Sequence, residues 1–509
     1  MNMPAEALKP HNTLKELLED IADAPDVAIT GISSDSKKLS PGNVFFALVG
    51  ETGHGLDHVD EALAAGAEAV VWDSSADVVA PDNVGVPLIP VAGLTTHIGE
   101  IANRFFDAPS MNMKVVGVTG TNGKTTVSFL VAECMQLLGN TCGYLGTLGF
   151  GIGELDTDSD MTTPACIDLH EKLAAFRDAG AGHAAIEVSS HALRQGRVNG
   201  VHFDCAIFTN LSRDHIDYHG SMRAYGETKA RLILDRDVAH RIVSLDTEFG
   251  QELAERCGRD VVTVSTRFDR IANGRPFVFV RSVVATAGGS NVAVNSSWGD
   301  FEFQLPLPGD FNVANAISVL ALLLSWEIPV ADACDVLGKI IAPPGRMQRV
   351  ADSSAPTVYV DYAHTPAGLE AALRSLRSLR SHCGKSLWCV FGCGGDRDRG
   401  KRPLMGKVAA RLADRVVITN DNPRSELPGN IIADVLQGVG EKPGAIAIED
   451  RATAIAYAIH EAADDDIVLI AGKGHENYQL IGDRRLSFSD FDAALANVFA
   501  RRSRSARRQ

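Results

Sequence analysis

Lys114-Val115-Val116-Gly117-Val118-Thr119-Gly120-Thr121-Asn122-Gly123-Lys124-Thr125-Thr126 carries the reading of the fold. A β-branched apolar run enters a glycine-rich turn, and Lys-Thr then opens the apolar run Val127 to Leu138. That order predicts a strand turning directly into a helix. Such a turn aims backbone N–H groups at a bound phosphate. Lys124 adds a point charge there, and Thr125 offers a hydroxyl to Mg²⁺. The pattern departs from the strict phosphate loop at one place, because Val118 stands where that loop has its first glycine.

Outward from this stretch, strand and helix alternate. His183 to Val188 and Cys205 to Thr209 read as further strands ending in polar residues, and Phe277 to Leu305 as an antiparallel β insertion. After Pro343-Pro344-Gly345 the alternation resumes with strands at Thr357–Val360, Leu387–Phe391, Arg415–Thr419 and Asp466–Ile470. Before it, Val44–Val49 and Ala69–Trp72 read as buried strands and Thr95 to Phe106 as a helix. The expectation is an α/β protein of three domains. A small α/β domain spans residues 1–111, a central ATPase-type sheet 112–343, and a Rossmann-like domain 344–509. In such sheets ligands bind beyond the carboxyl ends of the strands.

The chain has 509 residues, 45% of them hydrophobic and 22% charged, which is the mixture of a soluble globular protein. A formal charge of −16 argues against nucleic acid as a partner. Nine cysteines without a CxxC pair argue against a zinc site and for a reducing compartment. No signal peptide precedes Asn12, and the most apolar run, Ala314 to Leu324, is too short to span a bilayer, so a cytoplasmic protein without membrane insertion is expected. The basic run Arg501, Arg502, Arg504, Arg507 and Arg508 reads as a disordered, solvated tail.

Several motifs occur in fixed order: Thr119 to Thr126, Glu187-Val188-Ser189-Ser190-His191, Thr209 to His219, Gly309 to Asn315, Gly345-Arg346, and Asp361 to Pro366. Together they closely resemble the Mur ligase family, and the resemblance runs from Ser34 to Glu476. It implies that ATP is held by Gly120, Thr121, Asn122, Gly123, Lys124, Thr125 and Thr126, with Asn210, Asn312, Arg346 and Asp361 around the adenine, ribose and γ-phosphate. Arg346 suits stabilisation of transferring phosphoryl charge. Glu187 and His215 are implied as Mg²⁺ ligands beside Thr125. Lys229 is implied as a carbamate, which turns a cation into an anion able to hold a second Mg²⁺ and requires a neutral amine.

The same resemblance assigns a UDP-sugar to Ser34, Ser36 and the Glu51-Thr52-Gly53 turn. It assigns the attached muramoyl-peptide to Thr162, Thr163, Ser189, Gln195 and Arg197. Arg397, the run Asp421-Asn422-Pro423-Arg424, Gly472 and Glu476 are implied to take the incoming amino acid. An arginine at 424 can pair bidentately with a carboxylate, which meso-diaminopimelate carries at its far end and lysine lacks. The expected reaction is ATP-dependent addition of meso-diaminopimelate to UDP-N-acetylmuramoyl-L-Ala-D-Glu by a monomer. The rivals are a lysine-adding relative, a folylpolyglutamate synthetase-like ligase, and a non-catalytic ATP-dependent switch.

Overall fold

Four short strands, Gly31–Ser33, Asn43–Ala47, Ala69–Asp73 and Leu88–Val91, pair in parallel in that order. Their alternation shows why the run is apolar throughout. Val44 and Phe46 face one buried cluster while Phe45 and Ala47 face another, as a parallel sheet covered on both faces requires. The structure, a computed structural model, describes residues 13–50, 53–75, 78–82, 84–156, 161–267, 269, 273–286, 289–351, 356–379 and 386–506.

By internal contacts the chain divides into two units. The first comprises Met1–Thr119, Gly139–Ile207 and Glu227–Ala239, and the second Gly120–Leu138, Phe208–Gly226 and His240–Gln509. In the first unit the N-terminal sheet packs on the helices Leu94–Phe105 and Cys166–Asp178, through Ile98, Ile101, Phe105, Cys166 and Ile167. A salt bridge of 2.6 Å from Lys38 Nζ to Asp168 Oδ2 pins the turn Ser36–Lys38 to the second of these helices. The unit also holds Lys114–Thr119 and Cys142–Gly146, each parallel to His183–Glu187.

In the second unit, His240–Ser244, Val262–Ser265 and Phe277–Thr286 are parallel, and Gly289–Ser296 and Gly299–Leu305 extend them as an antiparallel meander. The antiparallel insertion expected from Phe277 to Leu305 is therefore present. The unit ends in a six-stranded sheet in the order Gln348–Arg349, Thr357–Asp361, Ile467–Ala471, Leu387–Phe391, Arg415–Ile418, Ala445–Ala447, parallel except for the first strand. Leu387, Cys389 and Phe391 point into a core with the helices Pro366–Leu379, Lys401–Leu412 and Pro428–Val439, whereas Trp388 and Val390 point to Arg451–Glu461 and Asp490–Ala506. Helices on both faces make it doubly wound.

One expectation fails here. The run Arg501, Arg502 and Arg504 is not a disordered tail, because the helix Asp490–Ala506 runs through it. Arg501 Nη1 donates to the carbonyls of Ile459 and Ala462, and Nη2 reaches Asp464 at 2.6 Å. A cation on the last carbonyls of the helix Arg451–Glu461 satisfies acceptors that the helix leaves open and suits its dipole. Arg507 and Arg508 lie outside the described residues.

A fully buried arginine, Arg451, holds the carboxyl end of the last sheet together. Arg451 pairs with Asp490 at 2.7 Å, both fully buried, and donates to the carbonyls of Asn420 (2.9 Å) and Ala471 (3.0 Å), at the ends of the two strands that flank Leu387–Phe391. Removing the guanidinium leaves a buried carboxylate uncompensated. Arg451→Met is expected to destabilise the protein by about 3–5 kcal/mol, read as a lower urea midpoint. An unchanged midpoint would show that the pair contributes nothing.

Candidate active site

In the second unit the glycine-rich segment meets the helix Lys124–Leu137 at Gly123, whose φ of 86° is left-handed. A Cβ there would meet Asn315 Oδ1 at 2.4 Å, so only glycine fits both the backbone and the space. The loop is clasped by residues 209–212. Thr121 N donates to Asn210 O (2.9 Å), Asn122 N donates to Asn210 Oδ1 (3.0 Å), and Thr209 Oγ donates to Asn122 O (2.6 Å). Lys124 Nζ lies 3.0 Å from both Gly120 O and Thr121 O, folded over the loop. Asn312 is buried one helical turn before Asn315, 3.5 Å from it. The backbone amides, the lysine and the clasp are thus assembled where a polyphosphate is expected.

Arg346 reaches this loop, with Nη2 donating to Thr125 Oγ at 3.0 Å. Its guanidinium lies 4.5 Å from the centroid of the Tyr362 ring, and its Nε is buried with no hydrogen-bond partner among the described residues. A buried unpaired donor beside a phosphate loop is what an anionic ligand would satisfy. Asp361 accepts from Met347 N and Ala363 N at 2.8 Å each; burial raises its pKa, opposed by Arg346. His364 is pushed down to about 4 by burial and by Lys401, so it is neutral at pH 7, with Nδ1 at 2.9 Å from Tyr362 O. That carbonyl can only accept, so the proton sits on Nδ1. His215 adopts φ 50° at the start of the turn Ile216–His219 and pairs with Asp214 at 3.5 Å. Burial opposes charge on Asp214, yet His215 holds its pKa below the usual range.

In the first unit Glu187, fully buried, ends the strand His183–Glu187. It accepts from Tyr144 OH (2.6 Å), Thr147 N (2.8 Å) and Thr147 Oγ (3.0 Å). Thr147 Oγ lies 3.2 Å from Thr162 Oγ. Thr163 Oγ donates to Glu187 O at 2.7 Å, Ser189 caps the helix Ser190–Arg194, and Arg197 joins Gln195 Oε1 (2.7 Å) to Thr163 O (2.8 Å). Lys229, on the helix Met222–Leu234, is only 1% exposed. Thr162, Thr163, Glu187, Ser189, Gln195 and Arg197 form one polar cluster. Ser34 is half-buried, Ser36 donates to Glu61 Oε2 at 2.6 Å, and Gly53 O accepts from Gly50 N. Glu51 and Thr52 lie outside the described residues. Thr125 and His215 belong to the second unit, and Glu187 and Lys229 to the first. Among the described residues no three His, Cys, Asp or Glu side chains cluster as a ready metal site.

Beyond the strand ends of the last sheet, the runs 421–424 and 472–476 meet. Asn422 Nδ2 donates to Glu476 Oε2 at 2.8 Å. Lys473, fully buried, donates to both Asn422 Oδ1 (3.0 Å) and Glu476 Oε2 (2.8 Å). Leu480 N also donates to Asn422 Oδ1, at 3.0 Å, and Gly472 lies against Asp421, whose Oδ2 a Cβ there would meet at 2.6 Å. Arg424, held at φ 51°, donates Nη1 to Gly395 O at 2.8 Å. Arg397 is exposed and donates to Asp396 O at 3.0 Å. Sequence reading missed Lys473, although it lies between Gly472 and Glu476, and missed Tyr362, Tyr144, Thr147 and Asn315. A buried lysine and a hydroxyl acceptor network carry no spacing signature.

Three family models match the chain. Residues 28–106 match the Mur ligase family catalytic domain, 118–323 the Mur ligase middle domain, and 345–474 the Mur ligase glutamate ligase domain. The chain belongs to the Mur ligase family, whose members form amide bonds at the expense of ATP. It is 43% identical over 495 residues to the UDP-N-acetylmuramoyl-L-alanyl-D-glutamate–2,6-diaminopimelate ligase of Alkalilimnicola ehrlichii, covering 95% of this chain and 98% of that one. It is 44% identical to the ligase of the same name from Coxiella burnetii, covering 92% and 95%. A solved structure of a ligase of that name aligns with a TM-score of 0.67 at 33% identity, over 96% of this chain and 99% of that one.

Gly123→Ala should weaken ADP binding on the order of tenfold or more, because it adds both backbone strain and the clash with Asn315. Calorimetric titration reads this directly. Undiminished affinity would mean that the loop does not cradle the nucleotide.

Proposed function

We propose that this chain joins meso-diaminopimelate to the γ-carboxylate of the D-glutamyl residue of UDP-N-acetylmuramoyl-L-Ala-D-Glu, as a cytoplasmic monomer. The observation that carries this reading is the convergence of Asp421, Asn422, Arg424, Gly472 and Glu476 beyond the strand ends of one parallel sheet. The similarity to relatives named for that ligation supports it. Residues 1–111 would hold the UDP-sugar through Ser34, Ser36 and the 51–53 turn, 112–343 would hold ATP, and 344–509 the amino acid.

The chemistry follows from the substrates. A carboxylate is a poor electrophile, so the γ-carboxylate oxygen first attacks the γ-phosphorus of ATP. ADP leaves and an acyl phosphate forms. The free amine of diaminopimelate then attacks the acyl carbon, phosphate leaves, and the nitrogen loses its proton. The loop 120–126, Lys124 and Arg346 hold and neutralise the phosphates, and Thr162, Thr163, Ser189, Gln195 and Arg197 orient the peptide. Such catalysis consists mainly of positioning and charge stabilisation. Thr125, Glu187, His215 and a carbamylated Lys229 are the donor types a hard divalent cation takes, and they are assigned to Mg²⁺. When bound, Mg²⁺ neutralises charge on the phosphates. Glu476, with Lys473 beside it, would receive the ammonium of the amino acid, and Arg424 and Arg397 its distal carboxylate.

Phosphate release from ATP is expected to require both the sugar nucleotide and meso-diaminopimelate, with L-lysine a poor substitute. Arg424→Ala should lower kcat/KM for diaminopimelate about 100-fold or more through loss of a charge-assisted pair. Release with lysine instead would reassign the pocket, and release with neither amino acid would remove the function.

A further inference from the structure

The loop that carries Arg397 and the loop that carries Arg424 leave neighbouring strands, Leu387–Phe391 and Arg415–Ile418. Past the strand ends the ladder stops, and a single backbone bond, Gly395 N to Asn422 O at 2.9 Å, crosses between 392–400 and 419–427. Side chains make further links, and the largest group of them meets at Glu426. Its Oε1 accepts from Asp396 N (2.7 Å) and Arg402 Nη2 (2.7 Å). Its Oε2 accepts from Arg402 Nη1 at 3.0 Å and lies 3.2 Å from Arg399 Nη2. Arg402 is only 1% exposed, and it also donates to Asp434 Oδ2 (2.9 Å) and Gly394 O (3.3 Å). On the far side, Asp396 returns the contact by accepting from Ser425 Oγ at 2.7 Å and Ser425 N at 3.1 Å.

This network is not explained by helix stability. Arg402 sits in the first turn of the helix Lys401–Leu412, where the helix dipole disfavours a cation. It is a forked pair whose two N–H bonds fix direction as well as distance, and the carboxylate is held down to about 2, first by Arg402 and then by the Asp396 N–H. Asp396 and Arg424 both occupy left-handed backbone, φ 52° and 51°, next to the points at which the pair holds the loops. Four arginines, at 397, 399, 402 and 424, crowd these two loops. Glu426 engages two of them, Arg399 and Arg402. Arg397 and Arg424, in contrast, bond the backbone carbonyls of Asp396 and Gly395.

We propose that Glu426, fixed by Arg402, is a positioning residue for amino-acid selectivity. It sets the spacing of Arg397 and Arg424 and keeps Arg399 and Arg402 from competing for the same carboxylate. The inference rests on the reading that Arg397 and Arg424 receive the distal carboxylate of diaminopimelate. Both Glu426 carboxylate oxygens are engaged by Asp396 N, Arg399 and Arg402, so its role is exerted through the loops.

Glu426→Gln keeps an acceptor for Asp396 N and removes the charge that holds Arg402 and Arg399. In steady-state assays of the full-length protein, KM for meso-diaminopimelate is expected to rise about tenfold, with KM for ATP and for the sugar nucleotide within about twofold of wild type. The preference for diaminopimelate over L-lysine should shrink by a similar factor. In an Arg424→Ala background the same substitution should add little, because residues acting as one unit are not additive. Should Glu426→Gln melt at a much lower temperature, Ser425→Ala, which removes only the surface bond to Asp396, should raise the same KM by a smaller factor. An unchanged diaminopimelate KM in a folded variant overturns the inference, as does a parallel rise in all three KM values. A wild-type protein that releases no phosphate with diaminopimelate would instead overturn the function on which it rests.

Discussion

The guanidinium of Arg346 is the contact on which the second unit turns. It donates to Thr125 at 3.0 Å on the phosphate loop and stacks at 4.5 Å on Tyr362. Tyr362 in turn packs on His475 with ring centroids 5.2 Å apart, within the run that supplies Lys473 and Glu476. The preceding residue makes this possible. Gly345 has φ 65°, and a Cβ on it would sit 2.1 Å from His475 N, so the chain can pass the 474–475 backbone only without a side chain. A lysine at 346 could supply charge but neither the planar stack nor the fork. The glycine-rich loop and the 472–476 run are therefore joined by one chain of packed contacts within this unit.

Buried cations recur wherever strand-end loops must hold still. Arg451 neutralises Asp490 and caps two strand-end carbonyls, Lys473 bridges Asn422 and Glu476, and Arg402 joins Glu426 and Asp434. Each is almost completely excluded from water, a position tolerable only when the charge is paired. Beyond the strand ends the sheet provides no ladder bonds, and short loops with polar side chains would otherwise wander. Charge pairing provides there what backbone pairing provides inside the sheet, and its directionality suits a site that must discriminate ligands by the placement of a carboxylate.

The sequence was legible where chemistry demands a local pattern. The turn Gly120–Thr126, the antiparallel run Phe277–Leu305 and the strands Thr357–Asp361, Leu387–Phe391, Arg415–Ile418 and Ile467–Ala471 announce themselves because loop geometry and alternating burial write directly into residue order, whereas the strands His240–Ser244, Val262–Ser265, Gln348–Arg349 and Ala445–Ala447 went unread. Contacts between distant segments leave no such trace. Nothing in Tyr144 or Thr147 predicts that both serve Glu187, some forty residues on, and nothing in Arg402 predicts a partner at 426. The arginine-rich end was misread for the same reason. Composition describes a solvated tail, while the acceptors that order Arg501 are carbonyls of a helix about forty residues earlier.

The overall charge of −16 stands in apparent conflict with substrates that are themselves anionic, a nucleotide triphosphate and a sugar nucleotide. The conflict dissolves at the length scale that matters. Screening confines an exposed charge to about 8–10 Å at ordinary ionic strength, so a distributed negative surface has little reach into a site lined by its own cations. Lys124 and Arg346 flank the glycine-rich loop, Arg197 stands in the polar cluster around Glu187, and Arg397 and Arg424 stand beyond the strand ends of the last sheet. Net charge and local charge are thus separate properties of this chain: the formal balance is negative, while cations gather at these loops.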